Sequence, residues 1–387
     1  MRFAEFTDEW EKYELSHFVT RITRRNKNNE SSLPLTISAQ YGLVDQISFF
    51  NKTVASVDLS GYYLLYNGDF AYNKSYSNEY AWGAVKRLDK YEKGCLSSLY
   101  FVFRPNDNVD SDYLTHYFES SKWHKGISNI AGEGARNHGL LNMAVDDYFA
   151  TKHCLPSLPE QKKIARFFNA ITRRIEIQNK IISKYETLIK GLYHEFFSKP
   201  ADYAVKIKDL INKGKAGGTP SSTVAQYYNG DIPFLSISDM TKQGKYVSYT
   251  EKHISKSGIE NSSAWIVPSN SLIFSMYASV GLVCINTVPL ATSQAMFSMV
   301  LKDHRMIEYI YYYLNFFRET KIHRHIETGT QSNINAETVR NIDIPFQSNH
   351  LKLVETLNSI EKRLNNEKDM LSLLLDLKAY LLSKLFI

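Results

Sequence analysis

Apolar residues in the stretch 164–197 fall at Ile164, Phe168, Ile171, Ile175, Ile182, Tyr185, Ile189, Leu192 and Phe196. Their steps alternate four and three, which is the seam of a heptad coiled coil. One slot is polar, Gln178. Moving each position on by 189 gives Leu353, Leu357, Ile360, Leu364, Glu367, Leu371, Leu374, Lys378, Leu381 and Leu385. The pattern predicts two long helices, each with one apolar seam to bury. Glu367 stands where Gln178 stands. Lys378 is the one mismatch, and its stem can follow the seam with the ammonium in water. Each helix of about 40 residues would be about 60 Å long. Antiparallel pairing would set Gln178 close to Glu367, a polar pair that costs stability but fixes register. On that reading Glu367→Leu raises thermal stability and loosens register.

The segments ahead of the two helices read as mixed α/β domains on one plan. In the first, residues 10–22 form a helical opening, and the basic stretch 21–32 reads as a loop or a solvated charge run. Strand patterns follow at 35–38, 62–66 and from Phe70 to Tyr72, then at 96–105, with a helix over 111–127. Asn73, Lys74 and Tyr76 lie in a turn-prone polar loop. The loop 132–139, GEGARNHG, carries Arg136, Asn137 and His138 among three glycines, which let a backbone approach a surface closely. Ser157 and Glu160 make a capping box that opens the first long helix, with Pro159 in its first turn. Pro200 ends that helix near Ser198. The second half repeats the order. An opening at 205–212 leads to a basic glycine-rich loop at 213–222, a strand over 231–240, and segments 270–276, 292–299 and 307–317. Residues 329–335, GTQSNIN, take the place of GEGARNHG. The chain is an internal duplication. Its expected domains are 1–154, 155–199, 200–347 and 348–387. A pseudo-symmetric pair of heads at fixed spacing is a ruler, able to place two domains on neighbouring major grooves.

Composition and charge narrow the classes. Hydrophobic residues are 43% and charged residues 22%, which excludes a disordered chain. A net charge of +6 favours an anionic partner. Cys95, Cys154 and Cys284 are scattered and odd in number, so neither a zinc site nor a disulfide framework is expected. The opening residues carry no apolar run of a signal peptide, and nowhere do eighteen apolar residues run together. A cytoplasmic chain without a membrane span is the expectation.

No catalytic constellation emerges. There is no Walker loop and no glycine-rich cofactor loop after a strand. Asp147 with Glu160-Gln161-Lys162 mimics a metal nuclease, but Glu160 is read as a helix cap. His323 and His325 are too close for a metal site, and His153-Cys154 lacks a third ligand.

Three motifs carry a resemblance. Leu155-Pro156-Ser157-Leu158-Pro159-Glu160-Gln161-Lys162-Lys163-Ile164-Ala165 leads into the first helix. Gly217-Gly218-Thr219-Pro220-Ser221 precedes Asp231-Ile232-Pro233 and Ser238-Asp239-Met240. Tyr72-Asn73-Lys74-Ser75-Tyr76 precedes Trp82-Gly83-Ala84. Together they resemble the specificity subunit of type I restriction–modification enzymes over essentially the whole chain. The second helix departs from the pattern, with Ser348-Asn349-His350 in place of Pro-Glu-Gln. The resemblance implies two target recognition domains of α+β fold, joined by a long antiparallel two-helix coiled coil. It implies a non-catalytic chain reading a split, asymmetric target in double-stranded DNA. The helices would dock two methyltransferase subunits, and restriction motor–nuclease subunits would join. S-adenosylmethionine, ATP and magnesium would sit on those partners, with no cofactor on this chain. Candidate DNA-contacting residues are Asn73, Lys74, Tyr76, Arg136, Asn137 and His138 in the first domain. Thr219, Ser221, Ser238, Tyr277, Thr330, Gln331 and Asn333 are those in the second. Two other readings stay open: a coiled-coil adaptor that binds only proteins, and a specificity subunit for a restriction class with one fused enzyme partner.

Overall fold

A computed structural model of the chain describes residues 2–76, 80–131, 139–325 and 333–387. The chain forms two compact units, Met1–Lys180 with Lys368–Ile387, and Ile181–Glu367. Each long helix therefore gives one half to each unit. Among the described residues no helix is long and apolar enough to cross a membrane.

In the first unit the strand Glu11–Glu14 pairs antiparallel with Lys152–Leu155. A four-stranded antiparallel sheet follows, in the order Val19–Arg21, Phe101–Pro105, Phe70–Asn73, Ala84–Arg87. Every residue from Phe70 to Tyr72 is buried, because both faces of that central strand are covered. One face meets the helix Ser111–Glu119 and the rings of Phe103, Phe118 and Tyr148; the other meets Leu65, Leu88 and Leu96.

The second unit repeats this plan. Tyr203–Lys206 pairs with Asp343–Phe346, and the sheet runs Ile211–Ala216, Met296–Leu301, Ser271–Ser275, Val283–Asn286, with a fifth strand, Tyr246–Val247, added in parallel at its edge. The helix Ile307–Thr320 stands where Ser111–Glu119 does. The short helix Ile207–Leu210 answers Leu15–Phe18. Equal strand order and equal sense in both units bear out the internal duplication. The second unit adds a four-stranded sheet in which Ile232–Leu235 pairs parallel with Leu290–Thr292.

The long helices run over Leu158–Phe197 and His350–Leu385. Every seam position, from Ile164 to Phe196 and from Leu353 to Leu385, is buried or half-buried. Within the first unit Ile164 and Phe168 join Leu381, Leu385 and Phe386 in one core, with Phe168 and Phe386 stacked at 5.7 Å. Within the second, the Gln347 amide, three residues ahead of the second helix, donates to the Phe196 carbonyl at 3.0 Å. Early turns of one helix meet late turns of the other in both units, so the helices run antiparallel.

Several sequence expectations need correction. Residues 10–22 are not one helix: Leu15–Phe18 is a single turn between two strands, fixed by Leu15 and Phe18 in the core and by Leu15 N–H on Thr151 O. The stretch 96–105 is two strands, Lys93–Leu96 and Phe101–Pro105, which belong to different sheets. The helix over 111–127 breaks at Ser120, whose hydroxyl caps the Tyr117 carbonyl, and resumes as His124–Ile130. The strand over 231–240 turns to helix at Ser236, which forms a capping box with Asp239. The basic stretch 21–32 is not a solvated run. Arg24 joins Arg104 on buried Asp69, and Arg25 donates to Gly61 O at 2.7 Å.

Two corrections concern the long helices. Both oxygens of the Glu160 carboxylate accept from one edge of the Arg2 guanidinium, from Nε at 2.7 Å and Nη2 at 2.6 Å. Gln161, 2% exposed, accepts from Asp110 N–H at 2.8 Å and donates to Pro156 O at 2.9 Å. The Pro-Glu-Gln motif thus ties the helix start to the sheet-and-helix body of the first unit. Lys378 does not put its ammonium in water: it pairs with Glu119 at 2.9 Å and is only 15% exposed.

Candidate nucleic-acid interface

The strand Phe70–Asn73 runs out into Lys74, Ser75 and Tyr76. Asn73 turns the chain by accepting from Ser75 N–H at 3.0 Å. Lys74 rests over the Phe101 ring at 4.8 Å, and its partial burial pushes the ammonium pKa down. Gly83 closes the far side of this hairpin at φ +78°, where a Cβ would stand 2.1 Å from the Asn73 carbonyl. Ser75 bridges Leu140, with Leu141 N–H on Lys74 O at 2.9 Å and Tyr76 N–H on Gly139 O at 3.1 Å. Residues 139–141 directly follow the stretch that contains Arg136, Asn137 and His138, which lie outside the described residues. The loop holding Asn73, Lys74 and Tyr76 is therefore laced to the exit of the glycine-rich stretch.

The second unit builds the same junction. The strand Ser271–Ser275 runs out into Met276 and Tyr277. Tyr277 bridges Asn333, and Ile334 N–H donates to Met276 O at 3.0 Å. Thr330 and Gln331, just before this exit, lie outside the described residues. Tyr277 is 40% exposed. Ala278 beside it sits at φ 59°, a region that costs an L-residue about 1–2 kcal/mol.

Other candidates of the second unit converge here. Met276 N–H donates to Ala295 O at 2.8 Å. Gly217 N–H reaches Met296 O at 3.0 Å, Gly218 N–H reaches Thr292 O at 2.9 Å, and the Thr219 hydroxyl donates to Gln294. A Cβ on Gly217 would lie 2.0 Å from the Thr292 carbonyl, so only glycine lets this loop seat. Leu235 pairs parallel with Thr292, so Ser236 and Ser293 each leave the same end of that pair. Ser238 is exposed in the first turn of Ile237–Gln243. Ser221 stands apart from this lacing, its hydroxyl shared with Thr223 at 2.8 Å. Sequence reasoning missed Gln294, because 292–299 read as one strand. The strands are Leu290–Thr292 and Met296–Leu301, and Gln294 is exposed in the turn between them.

His153 and Cys284 are buried in the two units. His153 is 3% exposed and shares hydrogen bonds with the Tyr117 and Thr151 hydroxyls, each at 2.8 Å. Burial pushes its pKa down to about 4. Cys284 is buried, which pushes its thiol up to about 12.

In each unit of the duplicated scaffold, polar loops gather at the same end of the same strand. Residues 200–370 match the family model of the type I restriction modification DNA specificity domain. The chain is 29% identical over 174 residues to the MjaIX type I specificity subunit of Methanocaldococcus jannaschii, covering 44% of this chain and 40% of that one. It is 30% identical over 197 residues to the HindI specificity subunit of Haemophilus influenzae, covering 47% and 43%. The match thus spans less than half the length of these relatives. The fold is shared with the S subunit of a type I system from M. genitalium, at TM-score 0.56 and 14% identity over 100% of this chain and 99% of that one. It is shared as well with a chain from a structure of type I complex assembly, at TM-score 0.58 and 17% identity over 98% and 97%. The segment 200–370 is a type I DNA specificity domain, and the resemblance carried by the sequence motifs is borne out.

Proposed function

We infer that the chain is the DNA-recognition subunit of a type I restriction–modification complex. Each unit reads one half of a split target. The two reading surfaces differ, Lys74 and Tyr76 against Tyr277, Asn333 and Gln294, so the halves differ in sequence. Bases are read by side chains at the groove edges, and phosphate contacts set the register. The observation that carries this reading is the junction built twice, at Ser75–Leu140 and at Tyr277–Asn333, on the same strand end of a duplicated fold.

The long helices hold the units and receive two methyltransferase subunits. An exposed apolar row on the second helix supports a protein partner there: Met370, Leu373, Leu377 and Tyr380, of which Leu373 is 64% exposed. Methyl transfer to adenine and ATP-driven cleavage belong to those partners, with S-adenosylmethionine, ATP and magnesium. The test is a genome-wide map of methylated adenines in host cells with and without the chain. One asymmetric split motif disappears on deletion. An unchanged map, with no salt-sensitive binding of the chain to duplex DNA, selects the protein-only adaptor instead.

A further inference from the structure

The outer face of the first long helix carries a row of cations that neither the fold nor the reading loops use. Lys162, Arg166, Arg173 and Lys180 are all exposed. Their spacing of four, seven and seven keeps them within about 40° of one another around the helix. They stand about half a turn from the seam of Ile164, Phe168, Ile171 and Ile175. The row is about 27 Å long, and every cation of it lies in the first unit.

Among the described residues none of the four has an ion pair or hydrogen bond from its side chain. Of the nearby carboxylates, two are engaged elsewhere, and Glu176 stands three residues from Arg173 and four from Lys180. Glu160 is 0% exposed and held by Arg2, and Glu5 is held by Lys163. Over 158–180 the helix has six basic residues against two acidic ones. The part of the second helix in the same unit, 368–387, has three against two, with Lys378 on Glu119. Like charges one and two turns apart repel and weaken a helix. A row of four cations opposite the seam, with Glu176 as the one acidic residue on its flank, fits a polyanion running along it. Duplex DNA presents one charge per about 1.7 Å of axis, with about 3.4 Å per base pair, so the row passes about eight base pairs.

We propose that this row grips the phosphate backbone of duplex DNA without reading its sequence, and so holds the DNA along the first helix while the loops read the half-site. The proposal rests on the DNA-recognition reading above and adds a second, sequence-independent contact to it. Phosphate contacts of this kind release counterions, so each adds about 0.9 to the slope of log affinity against log salt.

The experiment measures binding of the full chain to a target duplex and a random duplex over a salt series. Three forms are compared: wild type, the quadruple Lys162→Gln, Arg166→Gln, Arg173→Gln, Lys180→Gln, and the charge-preserving quadruple Lys162→Arg, Arg166→Lys, Arg173→Lys, Lys180→Arg. Denaturant midpoints check that all three are folded. The neutral quadruple is expected to lose up to about 3.6 from the slope, equally on both duplexes, and the charge-preserving one to keep the wild-type slope. A wild-type slope in the neutral quadruple overturns the proposal and leaves the reading standing. So does a loss confined to the target duplex, or one the charge-preserving form shares. No salt-sensitive binding by the wild type overturns both.

Discussion

Lys378 interrupts the apolar seam of the second long helix and is held there by a carboxylate of the first unit, on the helix Ser111–Glu119. Glu119 accepts from it at 2.9 Å and lies 3.4 Å from His116 Nδ1, while His116 Nε2 lies 2.8 Å from Asn169 on the first long helix. Burial alone would raise the Glu119 carboxyl. The hydrogen bond from His116 and the charge of Lys378 outweigh it and hold the group down at about 2. A carboxyl depressed in the folded state stabilises above its unfolded value of about 4.3, and that stability is lost as pH falls toward 2. Lys378→Met should therefore cost about 1–3 kcal/mol in urea at neutral pH, and the deficit should shrink between about pH 5 and pH 2. A deficit that stays constant across that window would remove the ion pair from the account. Ala278 gives a second test. Its left-handed backbone favours Ala278→Gly over Ala278→Val. The valine form should melt several degrees lower, while the glycine form melts at or above the wild type. The strain at Ala278 was invisible in the sequence, since nothing in Met276-Tyr277-Ala278-Ser279 announces a positive φ. Lys378 was visible as an anomaly, but its partner is 259 residues away in sequence.

The long helices were the most legible elements. A seam of four-three steps over five turns or more has no other economical solution, and both helices formed with their seam residues turned inward. Shorter elements were legible by type but not by extent. Ser97 to Tyr100 turns between two sheets, and Ser236 starts a helix with its own capping box; tertiary pairing decided both against the local pattern. The same clasp recurs in the second unit. Glu319 of Ile307–Thr320 takes His194 and, at 3.1 Å, Lys190 of the first long helix. Within the basic, glycine-rich stretch 213–222, Gly217 and Gly218 are buried against backbone. Gly217→Ala should destabilise the second unit by about 3 kcal/mol or more, because the obstacle is the Thr292 carbonyl and not a side chain that can swing away. A urea midpoint near wild type would show that the loop can move off its seat.

At the scale of the molecule, the duplication and the paired helices were legible because order and periodicity survive where identity does not. The candidate surfaces were legible only as loops. Tyr277 and Asn333 are 56 residues apart in sequence, and only the bridge between them shows that they share a surface. The central claim is that each unit reads its own half of one target. It is tested most directly by mapping methylated adenines in cells whose sole copy of the chain carries Tyr277→Ala with Asn333→Ala. The account predicts relaxed base preference in one half of the motif, with the other half and the gap unchanged. Relaxation in both halves, or an unaltered motif, would contradict it.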